Sequence, residues 1–383
     1  MIKVLIVVGT RPEAIKMAPV INGLRDSSSF QVDVCNTGQH MEMIEQVFDI
    51  FQIQAKYNFN VVERAKSLHT VTSTIIEELE KVFEKTTYDC VIVHGDTNTC
   101  LSTSLAAFYS RIDVMHVEAG LRTGDIYAPW PEEMNRVVVG RLAALHFAPT
   151  VKAQQNLMSE GIPGHKIAVT GNTVIDALVA TEKRIEDDKI LEQELEERFG
   201  FLDQTKKLIL VTGHRRENFG SGFRDICLSL KELSKRSDVQ ILYPVHLNPN
   251  VLMPVHDILS DTDNVHLIKP VDYVAFVYLM KRAHFILTDS GGIQEEAPSI
   301  GVPVLVMRAS SERPEALESG LVSLVGTSVD SIVTESRRLI EHGQHFTKRS
   351  VRSHVYGDGT AALQIKSALI SYFNKGTIKT DAS

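Results

Sequence analysis

Short apolar runs alternate with longer amphipathic stretches along the whole chain, and this alternation predicts most of the secondary structure. Several runs are apolar at consecutive positions, which is typical of strands that helices cover on both faces. The pattern predicts strands at residues 3–8, 31–36, 89–94, 114–117, 146–148 and 166–170, and again at 207–212, 240–245, 266–268, 285–288 and 302–306. Helices are predicted between them, and repeated strand–helix units favour parallel sheets with right-handed crossovers.

The strand–helix series runs twice, and a charged helical passage at residues 174–199 separates the two series. We therefore predict an α/β protein of two doubly wound, Rossmann-like domains. Residues 1–170 form the N-terminal domain of this prediction, and residues 171–359 form the C-terminal domain. A last amphipathic helix at residues 360–374 follows Gly357-Asp358-Gly359, and we expect it to pack back on the N-terminal domain.

The composition predicts a globular cytoplasmic protein that binds neither nucleic acid nor membranes. Hydrophobic residues make up 43% and charged residues 23% of the 383 positions, and the formal net charge is −8. The sequence has no stretch near the ~20 apolar residues of a membrane span, and no signal-peptide pattern. The cysteines (Cys35, Cys90, Cys100 and Cys227) are scattered, which favours a reducing compartment.

Polar residues capable of chemistry follow the predicted strands, and the carboxyl ends of parallel strands are where ligands bind. Asp96 follows one strand and Glu118 ends another, while Arg11 and His214 follow the first strands of the two series. Taken singly, Asp96 is equally compatible with a helix cap. With Thr288-Asp289-Ser290-Gly291-Gly292 there are five such strand ends in one chain, which makes helix capping alone a poor explanation.

The segment Ser290-Gly291-Gly292-Ile293-Gln294-Glu295-Glu296 predicts a phosphate site at the start of a helix. The glycines let a phosphate approach the backbone N–H groups, and the helix dipole favours negative charge there. Glu296 comes about one turn later and can bind the two hydroxyls of a ribose. A tight turn before a solvated acidic helix start is the structural alternative. Neither Gly-x-Gly-x-x-Gly after the first strand nor the P-loop spacing occurs, so we expect no nicotinamide cofactor.

Basic residues and a carboxylate-bearing loop complete the candidate chemistry. Arg11 with Lys16, Arg215 with Arg216, and Arg308 with Arg313 are suitable ligands of a diphosphate, although solvated surface is the usual place for such residues. The segment Pro129-Trp130-Pro131-Glu132-Glu133 predicts a rigid loop that presents two carboxylates, with a plain helix start as the alternative. No thiolate or second histidine accompanies His94 and Asp96 at zinc-site spacing, so we expect no metal.

The motifs are specific in combination. Gly9-Thr10-Arg11-Pro12-Glu13, Thr37-Gly38-Gln39-His40, Gly95-Asp96-Thr97 and His116-Val117-Glu118-Ala119-Gly120 occur in the first half. Pro131-Glu132-Glu133, Gly171-Asn172-Thr173, His214-Arg215-Arg216-Glu217-Asn218, Thr288-Asp289-Ser290-Gly291-Gly292 and Glu312-Arg313-Pro314-Glu315 follow. In this order they resemble the bacterial non-hydrolysing UDP-N-acetylglucosamine 2-epimerases, and the resemblance spans nearly the whole chain.

The resemblance implies an architecture, a reaction and partners. The architecture is the two-domain fold of the B-type glycosyltransferases, with the active site in the interdomain cleft of a homodimer. The reaction is reversible epimerisation at C2 of UDP-N-acetylglucosamine (UDP-GlcNAc) to UDP-N-acetylmannosamine (UDP-ManNAc), with UDP as a bound intermediate product and no metal or cofactor. Its product supplies sugars for cell-surface polysaccharide.

The resemblance also implies roles for single residues. Asp96, Glu118, Glu132 and His214 would be catalytic. Arg11, Lys16 and Arg313, together with His214, would face the phosphates and the sugar. Ser290, Gly291, Gly292 and Glu296 would hold the diphosphate and ribose, with Phe276 and the backbone near Val271 beside the uracil. Gln39, His40 and Arg215 would form a second, activating substrate site, although Lys66 stands where many relatives carry glutamine.

Three alternatives to this reading remain open. A B-type glycosyltransferase shares the fold but needs an acceptor and usually one catalytic base. A hydrolysing 2-epimerase differs in letting water attack the intermediate, and a non-catalytic nucleotide-sugar sensor has no use for several carboxylates in one site.

Overall fold

The computed structural model describes residues 1–39, 41–311, 313–341 and 352–377, which form two units. The first unit is Met1–Ala177 with Tyr356–Ser383, and the second is Leu178–Val355. Residues 171–177 lie with the first unit because the Asp176 carboxylate accepts the backbone N–H groups of Ala361 and Ala362, at 3.2 and 2.8 Å. The domain boundary near residue 170 stays a sequence-based prediction.

The first unit is built on a parallel sheet of order β3-β2-β1-β4-β5-β6-β7. Its strands are β1 Ile2–Val8, β2 Phe30–Asn36, β3 Tyr57–Asn58, β4 Cys90–His94, β5 Asp113–Val117, β6 Leu145–Ala148 and β7 Ile167–Val169. Its helices are α1 Arg11–Arg25, α2 Met41–Phe51, α3 Val61–Arg64, α4 Leu68–Lys85, α5 Asn98–Tyr109, α6 Glu132–Leu142 and α7 Val151–Ser159, with a 3-10 turn at Gly164–Lys166. The apolar run of β1 is fully buried, as expected for a strand covered on both faces.

Helix α1 begins with local signals that the sequence carries. Thr10 is its N-cap and forms a capping box with Glu13, and Pro12 occupies the first turn, where a missing N–H costs nothing. The last helix, Ala361–Thr377, packs on α1, and a Cβ at Gly23 would lie 3.9 Å from the Cβ of Ala362. The Tyr372 hydroxyl also donates to Asp113 at 2.8 Å.

The second unit repeats the architecture with a parallel sheet of order β10-β9-β8-β11-β12-β13. The chain reaches it through α8 Thr173–Asp187 and α9 Lys189–Arg198. Its strands are β8 Lys207–Thr212, β9 Val239–Pro244, β10 Val265–Ile268, β11 Phe285–Thr288, β12 Val304–Val306 and β13 Val322–Leu324. Its helices are α10 Ser221–Leu233, α11 Pro249–Leu259, α12 Tyr273–Arg282, α13 Gly291–Ser299, α14 Pro314–Glu318 and α15 Val329–Glu341, with a 3-10 turn at Arg216–Asn218; the helix packed on α1 is α16.

The predicted fold class, two Rossmann-like parallel α/β sheets, is confirmed. Every predicted strand is present with small changes at its ends, and the strands Tyr57–Asn58 and Val322–Leu324 were not predicted. Within the described part of the chain, none of the helices has the length and apolar character needed to cross a bilayer.

Candidate active site

Glu118 lies at the carboxyl end of β5 in a crowded polar cluster. Its backbone adopts φ +59°, a left-handed conformation that is costly for a residue with a side chain. The buried carboxylate forms an ion pair with Lys16 and accepts a hydrogen bond from Asn172 Nδ2 at 3.0 Å. His94 Nε2 lies 3.6 Å from the same oxygen. Strands β4 and β5 and helix α1 thus converge on one carboxylate.

The surroundings of Glu118 determine its charge. Burial by itself raises the pKa of this carboxyl, but the ammonium of Lys16 and the neighbouring His94 outweigh burial and hold the pKa well below its ordinary value. Glu118 is therefore ionised at neutral pH, and it suits a base or an electrostatic role rather than that of a proton donor. Sequence reasoning placed Lys16 near the phosphates; in the structure it contacts Glu118.

Asp96 follows β4 after Gly95, which turns the backbone with φ +65°. The carboxylate of Asp96 contacts the Arg136 guanidinium, and its backbone carbonyl accepts Asn135 Nδ2 at 2.8 Å. The helix-capping alternative is wrong, because Thr97 caps α5 by accepting the N–H of Cys100 at 3.1 Å. Asp96 is left partly exposed at the end of the strand.

Glu132 and Glu133 begin α6 and differ in their burial and contacts. Glu133 is buried, and one of its oxygens accepts the N–H groups of Thr123 and Gly124 at 3.0 and 3.2 Å. Its other oxygen lies 3.3 Å from Arg136 Nη1. Glu132 is partly exposed at the first position of the helix. Glu133 therefore fixes the loop after β5, and Glu132 is the carboxylate of this pair that remains accessible.

Glu13 is a buried carboxylate for which the sequence predicted no role in the site. It accepts the N–H groups of Gly9 and Thr10 at 3.0 and 2.8 Å, and the Thr97 hydroxyl at 2.6 Å. Burial raises the pKa of Glu13, although these hydrogen bonds oppose the shift. The spacing Thr10-x-x-Glu13 was the available signal, since it is that of a capping box. Glu13 joins the loops that follow β1 and β4, and Arg11 lies partly exposed beside it.

In the second unit, Asp289 organises the loop that follows β8. The fully buried carboxylate accepts the N–H groups of His214 and Arg215, at 2.9 and 2.8 Å, and Asn218 Nδ2 at 3.2 Å. The half-exposed His214 ring stacks on His246, with 5.3 Å between the ring centroids. Partial loss of solvent lowers the pKa of His214, while Asp289 opposes this effect. The buried Asp289 carboxylate thus fixes the backbone that carries the His214 imidazole.

Ser290, Gly291 and Gly292 lie at the start of α13, as the sequence predicted. A Cβ on Gly291 would lie 2.8 Å from the guanidinium carbon of Arg313, so a side chain at this position would displace the guanidinium from the helix start. Arg313 Nε donates to Glu295 at 2.7 Å. The structure therefore brings Arg313 and the glycine turn together.

Glu296 is buried one turn into α13, and one of its oxygens accepts the Tyr273 hydroxyl at 2.8 Å. Sequence reasoning missed Tyr273 because an aromatic residue at the start of α12 carries no motif. Phe276 is partly buried on the same helix, and Val271 is partly buried just before it.

The residues of the predicted second substrate site are described only in part. Gln39 is partly buried in the first unit and Arg215 is partly buried in the second, whereas His40 lies outside the described residues. Lys66 is exposed between α3 and α4. Their shared role stays a prediction.

Two Rossmann-like units, with buried carboxylates at the strand ends of one and a glycine-led helix start in the other, define an α/β enzyme of the B-type glycosyltransferase-like class. The family model for UDP-N-acetylglucosamine 2-epimerase matches residues 22–370. The UDP-N-acetylglucosamine 2-epimerase of Yersinia pestis is 53% identical over 368 residues, which are 96% of this chain and 98% of that protein. The chain belongs to the UDP-N-acetylglucosamine 2-epimerase family, a family of isomerases.

Solved structures agree with this assignment. The UDP-GlcNAc 2-epimerase of Neisseria meningitidis bound to UDP-GlcNAc matches with a TM-score of 0.92 and 48% identity, over 97% of this chain and 100% of that one. The S. aureus MnaA–UDP structure matches with a TM-score of 0.88 and 42% identity, over 98% and 97% of the two chains.

Proposed function

We propose that the protein interconverts UDP-GlcNAc and UDP-ManNAc by inverting C2 of the sugar without hydrolysing the nucleotide. The observation that carries this proposal is the buried, ionised Glu118 with Lys16 and Asn172 at one strand end, beside Asp96 at the next. Membership of the family and the N. meningitidis relative bound to UDP-GlcNAc support the same substrate.

The chemistry follows from the position of the C2 hydrogen. This hydrogen is not next to a carbonyl, so it becomes acidic only as the C1–O bond to UDP breaks and positive charge develops at C1. In the gluco sugar the C2 hydrogen and the α-linked UDP lie on opposite faces, which suits anti elimination. A base takes the proton, the C–H electron pair forms the C1=C2 double bond, and UDP leaves with the C1–O pair. The products are 2-acetamidoglucal and bound UDP.

Return to the manno epimer reverses these steps with the other face of C2. A proton reaches C2 from the face that carries UDP, while a phosphate oxygen adds to C1. One base and one separate acid are therefore required, on opposite faces. Glu118 in its ionised form fits the base or a stabilising charge, which leaves Asp96 and Glu132 as the remaining carboxylates for proton delivery. His214 and Arg11 stabilise the charge of the departing diphosphate, while Lys16 keeps Glu118 ionised.

The nucleotide binds on the second unit in this proposal. The N–H groups at Ser290-Gly291-Gly292 and the Arg313 guanidinium suit the diphosphate, because a helix N-terminus and a cation both favour negative charge. Glu296, held by Tyr273, accepts the two ribose hydroxyls. The uracil lies beside Phe276 and the backbone near Val271.

We further propose a cytoplasmic homodimer with a second, activating substrate site at Gln39, His40 and Arg215. The buried free thiols of Cys35, Cys90, Cys100 and Cys227 support a reducing compartment. Light scattering tests the dimer, and sigmoidal initial rates against UDP-GlcNAc concentration test the activation.

Incubation with UDP-GlcNAc, followed by NMR, tests the proposed reaction directly. We expect UDP-ManNAc to accumulate toward a fixed ratio with UDP-GlcNAc, without free sugar. Free N-acetylmannosamine with stoichiometric UDP would identify a hydrolysing enzyme instead. If UDP-GlcNAc stays unchanged by itself and is consumed only when a sugar acceptor is added, the enzyme is a glycosyltransferase.

A further inference from the structure

Two adjacent residues of α6 hold Asp96 from different directions. Asn135 Nδ2 donates to the backbone carbonyl of Asp96 at 2.8 Å, and the Arg136 guanidinium contacts its carboxylate. Asn135 is 1% exposed and Arg136 is 8% exposed, so neither is a mobile surface contact. Both the main chain and the side chain of Asp96 are therefore fixed by one turn of helix.

The same turn also controls the loop that leads to Glu132. Arg136 lies 3.3 Å from Glu133, whose other oxygen accepts the N–H groups of Thr123 and Gly124. The residue before Asp96 is held as well: His116 Nε2 lies 2.7 Å from the carbonyl oxygen of Gly95, and since a carbonyl only accepts, Nε2 carries the hydrogen. The position of Asp96 is thus determined by α6 and by β5 together.

We propose that Asn135 and Arg136 are positioning residues that lock Asp96 to the start of α6, so that Asp96 and Glu132 act as one rigid acid–base unit. This inference rests on the proposed function, because it assigns Asp96 and Glu132 to proton transfer. Catalytic groups must keep their geometry to within about half an ångström, and long side chains achieve this only when neighbours fix their rotamers. Helix α6 begins at Glu132 and holds Asp96 through Asn135 and Arg136, so it links two carboxylates that lie 36 positions apart in sequence.

Arg136 also contributes charge, which distinguishes it from Asn135. Other titratable groups at this end of the sheet include Glu13, Lys16, His94, Cys100, Glu118 and Glu133. Within this largely acidic group, Arg136 is the cation in contact with Asp96. Arg136→Met removes the charge and the contact together, Arg136→Lys keeps the charge, and Asn135→Ala leaves Arg136 in place.

The test compares Arg136→Met, Arg136→Lys and Asn135→Ala in the full chain by kcat and by KM for UDP-GlcNAc. R136M should lower kcat by roughly 10²-fold, because Asp96 loses both its orientation and the cation beside it. R136K and N135A should lower kcat by roughly 10-fold, because a cation remains beside Asp96 in both variants. KM for UDP-GlcNAc should stay within about threefold in all three variants, since the nucleotide is bound elsewhere.

Arg122→Met is the matched control. Arg122 is an equally buried arginine of the same unit that forms a two-point ion pair with Glu160, at 2.6 and 2.9 Å. R122M should lower Tm about as much as R136M but keep kcat within about threefold of the wild-type value. An equal loss of kcat in both variants would reduce the effect of Arg136 to general destabilisation.

Asp96→Asn separates failure of this inference from failure of the proposed function. If D96N retains near-normal turnover, Asp96 has no catalytic role and both ideas are wrong. If D96N is impaired while R136M and N135A match the wild-type enzyme in kcat, only the positioning role is wrong. If Arg136 acts through Asp96, then R136M in the D96N background should change kcat by less than about threefold.

Discussion

Lys16 and Glu118 form an ion pair across 102 positions of sequence, and their side chains are only 10% and 8% exposed. Two charges removed from water in this way are costly unless each compensates the other. The contribution of the pair to the free energy of unfolding can therefore be measured separately from its contribution to kcat.

Glu118→Gln should lower kcat by roughly 10²–10⁴-fold, the range for acid–base groups, while UDP still binds. Lys16→Met should lower the free energy of unfolding by about 3–5 kcal/mol, because it leaves a buried carboxylate without its cation. The double variant K16M/E118Q should recover much of this stability but none of the activity. Urea denaturation of K16M, E118Q and the double variant measures the stability effects, and the NMR assay measures the rates. A stability loss in the double variant equal to the sum of the two single losses would show that the pair is not coupled. Asp96→Asn and Glu132→Gln should show the same rate loss, and near-normal turnover in all three carboxylate variants contradicts the assignment.

Glu296→Ala should weaken UDP binding by roughly 10–10²-fold, the effect of losing hydrogen bonds to a charged group. Tyr273→Phe removes the hydroxyl that holds Glu296 and should cause a smaller loss in the same direction. Titration calorimetry with UDP measures both, and Glu118→Gln serves as the control because it lies in the other unit. Equal losses from E296A and E118Q would show that the nucleotide does not bind at α13.

Turnover in D₂O should place deuterium at C2 of the UDP-ManNAc product, because the C2 hydrogen leaves as a proton. An ¹⁸O label in the anomeric bridge should move to non-bridging positions of the same phosphate, since the freed β-phosphate rotates before it adds back. NMR and mass spectrometry follow the two labels, with heat-inactivated enzyme as the control. Epimerised product that keeps its C2 hydrogen in full contradicts the elimination.

His146 should make the first unit less stable as the pH falls. Burial lowers the pKa of this histidine from 6.5 to about 4, and neither ring nitrogen has a hydrogen-bond partner among the described residues. Below pH 6.5 the unfolded chain binds a proton at His146, whereas the folded protein does not bind it until about pH 4. The free energy of unfolding therefore falls by up to about 1.4 kcal/mol per pH unit in that window.

His146→Leu should flatten this loss between pH 6 and pH 4 when urea midpoints are compared with those of the wild type. The substitution removes the titrating ring without leaving a former partner unsatisfied. His165→Gln, at an exposed position of the same unit, is the control and should keep the wild-type slope. Parallel curves for H146L and the wild type would show that His146 does not titrate on unfolding.

Gly120 and Gly124 form a matched pair for the loop after β5. Both have positive φ, +88° and +84°, but a Cβ on Gly120 would collide with the Ala153 carbonyl whereas a Cβ on Gly124 meets no atom within 4 Å. Gly124→Ala should therefore cost about 1–2 kcal/mol from backbone conformation alone. Gly120→Ala should cost at least ~2 kcal/mol more, because backbone must move. Thermal and urea unfolding measure the difference, and equal costs would contradict the collision.

The strands could be predicted where a continuous apolar run was long enough to read. The run from Val4 to Val8 is such a case, and it is buried throughout. The strands Tyr57–Asn58 and Val322–Leu324 were missed because neither is a continuous apolar run: one contains Asn58, the other contains Ser323, and each pairs with one neighbour only.

The candidate site could be predicted as a set of residues but not as a set of contacts. Motifs after strands indicated Asp96 and Glu118, since parallel strands place their carboxyl ends together. The partners of these carboxylates depend on register and helix packing: Arg136 lies 40 positions from Asp96, and Asn172 lies 54 positions from Glu118. The ionised state of Glu118 depends on those contacts, so spacing alone could not assign it.

The return of helix α16 to the first unit affects the order in which the protein is completed on the ribosome. Met1–Ala177 leaves the ribosome first, but the helix that covers α1 and supplies the amide groups for Asp176 is synthesised only after Leu178–Val355. At ~5–20 residues per second, this delay is on the order of ten seconds or more. During that time the face of α1 that contacts α16 remains uncovered in the nascent chain, so the length of the inserted unit determines how long chaperones or aggregation can compete with native assembly.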